Sequence, residues 1–143
     1  MAGPGPGVRG VLETALYVAD LDQSLQFYER LFGFKRLHGD ERFAALEVPG
    51  GQVLLLFRKG GTSAPIETSG GTIPAHDGDG RLHFALAIDA DTIDAWAARL
   101  DAEDVPLTSR VRWHHGGESL YFRDPDGHLA ELATPGLWWP IEP

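Results

Sequence analysis

The chain has 143 residues, a length that suits one compact domain or two small similar halves sharing a core. Its 21 acidic residues outnumber its 12 basic ones, and the net charge of −9 argues against nucleic acid or an anionic membrane surface as a partner. With no cysteine there is no disulfide framework, thiolate metal site or cysteine nucleophile, and no apolar run approaches the length of a membrane span.

Residues 1–10 (MAGPGPGVRG) are rich in Gly and Pro, lack the apolar core of a signal peptide, and read as a flexible lead-in to a cytoplasmic protein. Residues 11–58 form a first unit. Val11 to Val18 has strand composition, with Leu12, Leu16 and Val18 on one face and Glu13, Ala15 and Tyr17 on the other. Asp20 followed by Gln23 fits a capping box, and Leu21, Leu25, Tyr28 and Phe32 recur at helical spacing until Gly33, which predicts a helix from Leu21 to Phe32. Strands are expected over Phe34 to His38, Arg42 to Val48 and Gln52 to Arg58, so the order is βαβββ.

Residues 59–80 have no sustained periodicity and many Gly, Pro, Ser and Thr, the composition of a linker or a lid over a site. The pattern then restarts across residues 81–134. Leu82 to Ile88 reads as a strand, Asp91 and Thr92 open a helix carrying Ile93, Trp96, Ala97 and Leu100, and strands follow over Val105 to Trp113, Glu118 to Arg123 and His128 to Ala133. Residues 135–143 form a C-terminal tail in which Trp138 and Trp139 can cover a sheet edge, a pocket mouth or a partner.

The two units align as a repeat. Leu16 falls on Leu86, Glu13 on His83, Gly51 on Gly127 and Leu55 on Glu131, with small loop insertions between. Neither half alone would bury much core, which gives the pairing a physical purpose. The most informative stretch is Leu120 to Ala133, where Asp124-Pro125-Asp126-Gly127 is turn chemistry and Glu131 lies within an apolar strand. A carboxylate there calls for a cation or hydrogen-bond donors. Two half-sheets around a common cleft would place Glu13, His83, Leu55 and Glu131 at equivalent points in it.

The motifs ETALYVADLDQSLQFYERLFGF, Leu82-His83-Phe84-Ala85 and FRDPDGHLAEL, in this order, resemble the glyoxalase/bleomycin-resistance/extradiol-dioxygenase group, the vicinal oxygen chelate superfamily, over roughly Leu12 to Thr134. The resemblance implies an α+β fold of two paired βαβββ modules forming an open, cup-shaped mixed sheet with helices outside, the modules pairing within a chain or across a homodimer. It also implies a divalent metal ion on His83 and Glu131, with Glu13 standing where a first-strand histidine is usual. Leu55 stands where glyoxalases carry a fourth side-chain ligand, a departure that argues against lactoylglutathione lyase chemistry in its familiar form. Oxygen-rich ligation suits Mn, Fe, Ni, Co or Zn.

Other candidates surround this set. Glu13 is either a ligand or a general base, with an ion pair to Arg81 or Arg123 as the alternative, and His76 in the linker is a candidate acid/base. Tyr17, Leu55, Trp113 and Tyr121 are expected pocket walls, and of the adjacent His114 and His115 at most one can enter a cleft. The expected function is a metal-dependent lyase, isomerase or dioxygenase acting on a small molecule chelated through neighbouring oxygens. The alternative is a metal-free binder of the bleomycin-resistance type that sequesters a cationic small molecule.

Overall fold

A computed structural model describes Gly3 and residues 5–141; the other positions of the expected lead-in and the last two of the tail lie outside the described residues. The first half builds β1 (Glu13–Val18), α1 (Leu21–Phe32), β2 (Lys35–Gly39), β3 (Phe43–Val48) and β4 (Gln52–Arg58). A short hairpin follows, β5 (Ile66–Thr68) and β6 (Gly71–Ile73). The second half builds β7 (His83–Ala87), α2 (Ile93–Ala102), β8 (Leu107–Arg112), β9 (Glu118–Arg123) and β10 (Leu129–Ala133). The fold is α+β, with two four-stranded mixed sheets of the same connectivity, β1-β4-β3-β2 and β7-β10-β9-β8.

Local chemistry explains the first helix. Asp20 lies in extended backbone and its carboxylate accepts the Gln23 N–H at 3.1 Å, while the Gly33 N–H closes the last turn on the Glu29 carbonyl at 2.8 Å. Leu21, Leu25, Tyr28 and Leu31 are its buried stripe. The strand that opens each half runs parallel to the strand that closes it, and the registers agree. Ala15 lies opposite Leu55, and Ala85 opposite Glu131, in each case two residues beyond Glu13 and His83. Glu13 and His83 are therefore equivalent positions, as are Leu55 and Glu131.

Both sheets bury one face in a single core. Leu16, Val18, Leu54 and Leu56 from the first sheet and Phe84, Leu120, Phe122 and Leu132 from the second belong to one cluster with α1 and α2 residues. Helix α1 lies against the second sheet, with the Tyr28 ring 6.1 Å from Phe84 and the Phe27 ring 6.4 Å from Phe122. Side chains alternate along a strand. Glu13, Ala15 and Tyr17, with Leu55 and Phe57 beside them, thus stand on the face turned away from that core, as do His83, Ala85, Tyr121 and Glu131 on the second sheet.

The β9–β10 turn locks the halves together. Asp124 Oδ1 accepts the N–H groups of Asp126 and His128 at 2.9 Å each, and Oδ2 accepts the Tyr28 hydroxyl at 2.7 Å. Asp126 accepts the Ala19 N–H at 2.8 Å and the Ser24 hydroxyl at 3.2 Å. His128 is fully buried: its Nδ1 accepts the Leu82 N–H at 2.8 Å, which leaves Nε2 to donate to the Tyr17 carbonyl at 2.7 Å. Burial pushes the Tyr28 hydroxyl pKa well above its usual value, and the Asp124 charge and hydrogen bond add to this.

Candidate functional site

His83 opens β7 and Glu131 sits in the middle of β10, two residues past the partner of His83 in the parallel register. Their side chains meet on the open face, His83 Nε2 lying 3.3 Å from Glu131 Oε1. His83 Nδ1 lies 2.8 Å from the Leu129 carbonyl, an acceptor, so Nδ1 carries the donated proton. In the neutral imidazole Nε2 is then an acceptor, and it faces a carboxylate oxygen, also an acceptor. A second proton on the imidazole, or a divalent ion held between the two, removes that conflict. The separation is close to the roughly 3 Å that two donors each ~2.0–2.2 Å from one divalent ion would keep.

Glu131 is held from its other side. Its residue is only 4% exposed, and Oε2 accepts the Ser119 hydroxyl at 2.5 Å, while the Ser119 oxygen accepts the Trp113 indole N–H at 2.7 Å. Ser119 and Tyr121 alternate on β9 onto the face of Glu131. Burial, and next the Glu131 charge, raise the Tyr121 pKa, so its hydroxyl stays a proton donor at neutral pH. Above the pair opens a cavity of about 350 Å³ walled by Ala85, Trp113, Tyr121, Leu137 and Trp138. No lysine or arginine lines it among the described residues.

The remaining sequence-predicted residues lie elsewhere. Glu13 is exposed at the start of β1, and among the described residues it joins no three-ligand cluster with His83 and Glu131. Nor, among the described residues, does it pair with arginine: Arg123 donates to the Gly127 carbonyl at 3.0 Å, and the Arg81 stem lies over Gly127. Tyr17 and Leu55 share the open face of the first sheet with Glu13. His76 reaches that face from the linker, its Nδ1 2.7 Å from the Tyr17 hydroxyl and its ring 4.6 Å from that of Phe57. Thr62 pins it there, its hydroxyl donating to the His76 carbonyl at 2.6 Å. Burial, and next the charge of Asp77, raise the Tyr17 pKa. The linker passes so close that a Cβ on Gly78 would lie 2.3 Å from the Tyr17 ring. His114 and His115 are absent from the cavity lining.

Asp124, Asp126 and His128 are the one group of three potential ligands whose donor atoms lie within 4.8 Å of one another among the described residues. Both His128 nitrogens are engaged by backbone, and the two carboxylates accept five hydrogen bonds between them. We assign this cluster to the clamp between halves. Sequence reasoning missed Ser119, although a two-residue step back from Tyr121 puts it on the same face; the tail residue Leu137 gave no signal at all.

A duplicated βαβββ protein with an imidazole and a carboxylate converging on an open sheet face defines a class in which such faces hold small ligands. The chain belongs to the Glyoxalase/Bleomycin resistance protein/Dioxygenase superfamily, which matches residues 10–132. It is 29% identical over 132 residues to the metallothiol transferase FosB of Bacillus licheniformis, covering 92% of this chain and 79% of that protein. It is 30% identical to the catechol-2,3-dioxygenase of Bacillus subtilis over 82% of this chain, which spans 38% of that longer protein. Among solved structures it resembles the lactoylglutathione lyase of Agrobacterium tumefaciens, with a TM-score of 0.83 and 33% identity over 92% of this chain and 97% of the other.

Proposed function

We propose that the protein is a metal-dependent enzyme of this superfamily, in which His83 Nε2 and Glu131 hold one divalent ion and a small substrate is chelated through neighbouring oxygens. The observation that carries this is the 3.3 Å approach of His83 Nε2 to Glu131 Oε1, the histidine oriented by the Leu129 carbonyl and the carboxylate by Ser119. Glu13 supplies the third ligand from a second copy of the chain. Both functional faces turn away from the core that the halves share, so one chain cannot bring its own Glu13 to its own His83 while the clamp is closed.

The bound ion supplies Lewis-acid polarisation of the chelated oxygens. Ser119 and the Leu129 carbonyl orient the ligands, and the Tyr121 hydroxyl holds a proton beside Glu131. The relatives' names, a metallothiol transferase, a dioxygenase and a lactoylglutathione lyase, give three reaction types on one scaffold. Leu55 offers no donor at the position equivalent to Glu131, which leaves coordination positions open to substrate.

The test is elemental analysis of protein purified without chelator, with Glu13→Ala, His83→Ala and Glu131→Ala beside it. All three variants are expected to lose metal. Mixing unfolded Glu13→Ala and His83→Ala chains and refolding them together should restore one site per mixed dimer, because an intact Glu13 then meets an intact His83. Wild-type protein that takes up no divalent ion refutes the metal reading and favours the metal-free binder; metal binding without complementation refutes the shared site.

A further inference from the structure

We propose that the N-terminal arm, Val8 to Leu12, is a docking element for a second copy of the chain: it lies along the free edge of the partner's β7, with Leu12 and Val11 in the crevices on either side of that strand and Arg9 on Asp89. The inference rests on the shared-site reading above and names the contact that completes it. Its first support is what the arm leaves uncovered. Val8, Val11 and Leu12 are 92%, 68% and 65% exposed, three large apolar side chains directly ahead of Glu13. A single apolar side chain in water is ordinary, whereas a run of them beside a sheet edge marks a contact. The surface to receive them is equally incomplete. Strands β1 and β7 each end a sheet and pair on one side only. The Leu82 carbonyl and the Ile88 N–H bond to β10 at 2.8 and 2.9 Å, and by alternation the backbone groups of Ala85 and Ala87 turn outward. A crevice flanks this edge on each side. The one toward the core, about 350 Å³, runs between Phe32, Val48, Leu86, Ile88 and Trp96. The one on the open face, about 410 Å³, runs between Ala87, Leu137 and Trp139 and reaches Asp89.

The second support is register. Glu13 and His83 are equivalent positions of the repeat, so one ion between them sets β1 of one copy and β7 of the other about a local twofold axis, side by side and antiparallel. Glu131 is level with Ala85, and a Glu13 that joins the His83–Glu131 pair comes level with Ala85 too. Counting back along the arm, Val11 then falls at Ala87 and Arg9 at Asp89. Alternation sends Val11 to the open side of β7, toward Leu137, and Leu12 to the core side, toward Leu86 and Ile88. The charges match as well. Asp89 stands at the start of a short helical turn without capping it, and among the described residues neither Arg9 nor Asp89 forms an ion pair. In a twofold dimer each contact is made twice, once by each arm.

The experiment measures the dimer dissociation constant of the full chain by analytical ultracentrifugation. Val11→Asp should raise it roughly tenfold or more, since a carboxylate replaces an apolar side chain in each of two crevices. Arg9→Asp and Asp89→Arg should each raise it roughly fivefold or more, because like charges then meet at both contacts. Mixed in equal amounts, those two variants should pair with each other and return to within about twofold of wild type: in the mixed dimer Asp at 9 meets Arg at 89, and Arg at 9 meets Asp at 89. An ion pair made within one chain gives no such recovery, and recovery itself shows that both variants fold. Single variants that dimerise as tightly as wild type, or a mixture no tighter than its separate parts, would overturn the inference. Wild-type protein that stays monomeric overturns the shared site beneath it, and the inference with it, and is seen before any variant is made.

Discussion

Replacing Ser119 with alanine removes one oxygen that serves two neighbours. The residue is fully buried, its hydroxyl donates to Glu131 Oε2 at 2.5 Å, and it accepts the Trp113 indole N–H at 2.7 Å. A buried polar group left unpaired costs about 1–3 kcal/mol, and more when charged. Trp113 is only half-buried and recovers part of its loss from water, so the substitution should destabilise the metal-free protein by about 2–3 kcal/mol. For a chain of this size that is a melting point lower by about 6–10 °C. Because Ser119 also orients the carboxylate, affinity for a divalent ion should fall about 10–100-fold. Urea and thermal melts without metal, followed by competition against a chromophoric chelator, measure the two effects separately. A variant that melts within about 1 °C of wild type and binds metal as tightly would show that the Trp113–Ser119–Glu131 chain supports neither the fold nor the site.

Tyr28→Phe should cost about 1.5–3 kcal/mol near neutral pH, the worth of a buried hydrogen bond to a carboxylate, read from urea melts. It should also change the alkaline limb: the folded state raises the Tyr28 pKa, so this contribution is intact below the unfolded value of about 10 and is lost as pH rises toward the folded one. The variant, lacking the proton, should lose less stability than wild type across that window. Gly78→Ala should lift the linker from the Tyr17 ring and speed proteolytic cleavage within residues 59–80, while metal content stays unchanged. Asp124→Asn weakens the tie to Tyr28 and should lower the melting point without changing which residues the metal requires.

How far the sequence carried the fold varies by element. Helix α1 was readable to the residue, because an apolar period, a capping aspartate and a terminal glycine all act within four residues of one another. The strands β1, β3, β4, β7, β9 and β10 were readable because one face of each is apolar, whereas β2 and β8 bury no side chain. At the first strand the apolar pattern ran ahead of the structure: Val11 and Leu12 are exposed, and β1 starts at Glu13, although the Leu12 carbonyl still accepts the Val53 N–H at 2.9 Å. The β5–β6 hairpin was not readable, since three-residue strands such as Ile66–Thr68 carry too few positions to show alternation and bury almost nothing. In the site, the equivalence of Glu13 with His83 came from the repeat, and the His83–Glu131 meeting follows from register. The clamp did not: Asp124 and Asp126 read as turn residues, and their bonds to Tyr28, Ser24 and Ala19 cross 96 to 107 residues, a distance no local period encodes.

That clamp decides how the repeat is used. A duplicated module offers two sheets, each with one apolar and one functional face, and the apolar faces must be buried first. Here α1 lies between them, and the turn after β9 reaches back to the helix, so the buried arrangement is fixed by side-chain and backbone hydrogen bonds as well as by packing. Once that is done, Glu13 and the His83–Glu131 pair face outward on separate sheets. To bring them together within one chain would break the bonds of Tyr28 to Asp124, of Ala19 and Ser24 to Asp126 and of His128 to the Tyr17 carbonyl, at about 0.5–1.5 kcal/mol for an ordinary hydrogen bond and about 1.5–3 for one to a charged group. Pairing with a second copy leaves every clamp bond intact and covers both open faces at once. The same bonds that make the single chain cohere therefore favour a site completed between chains.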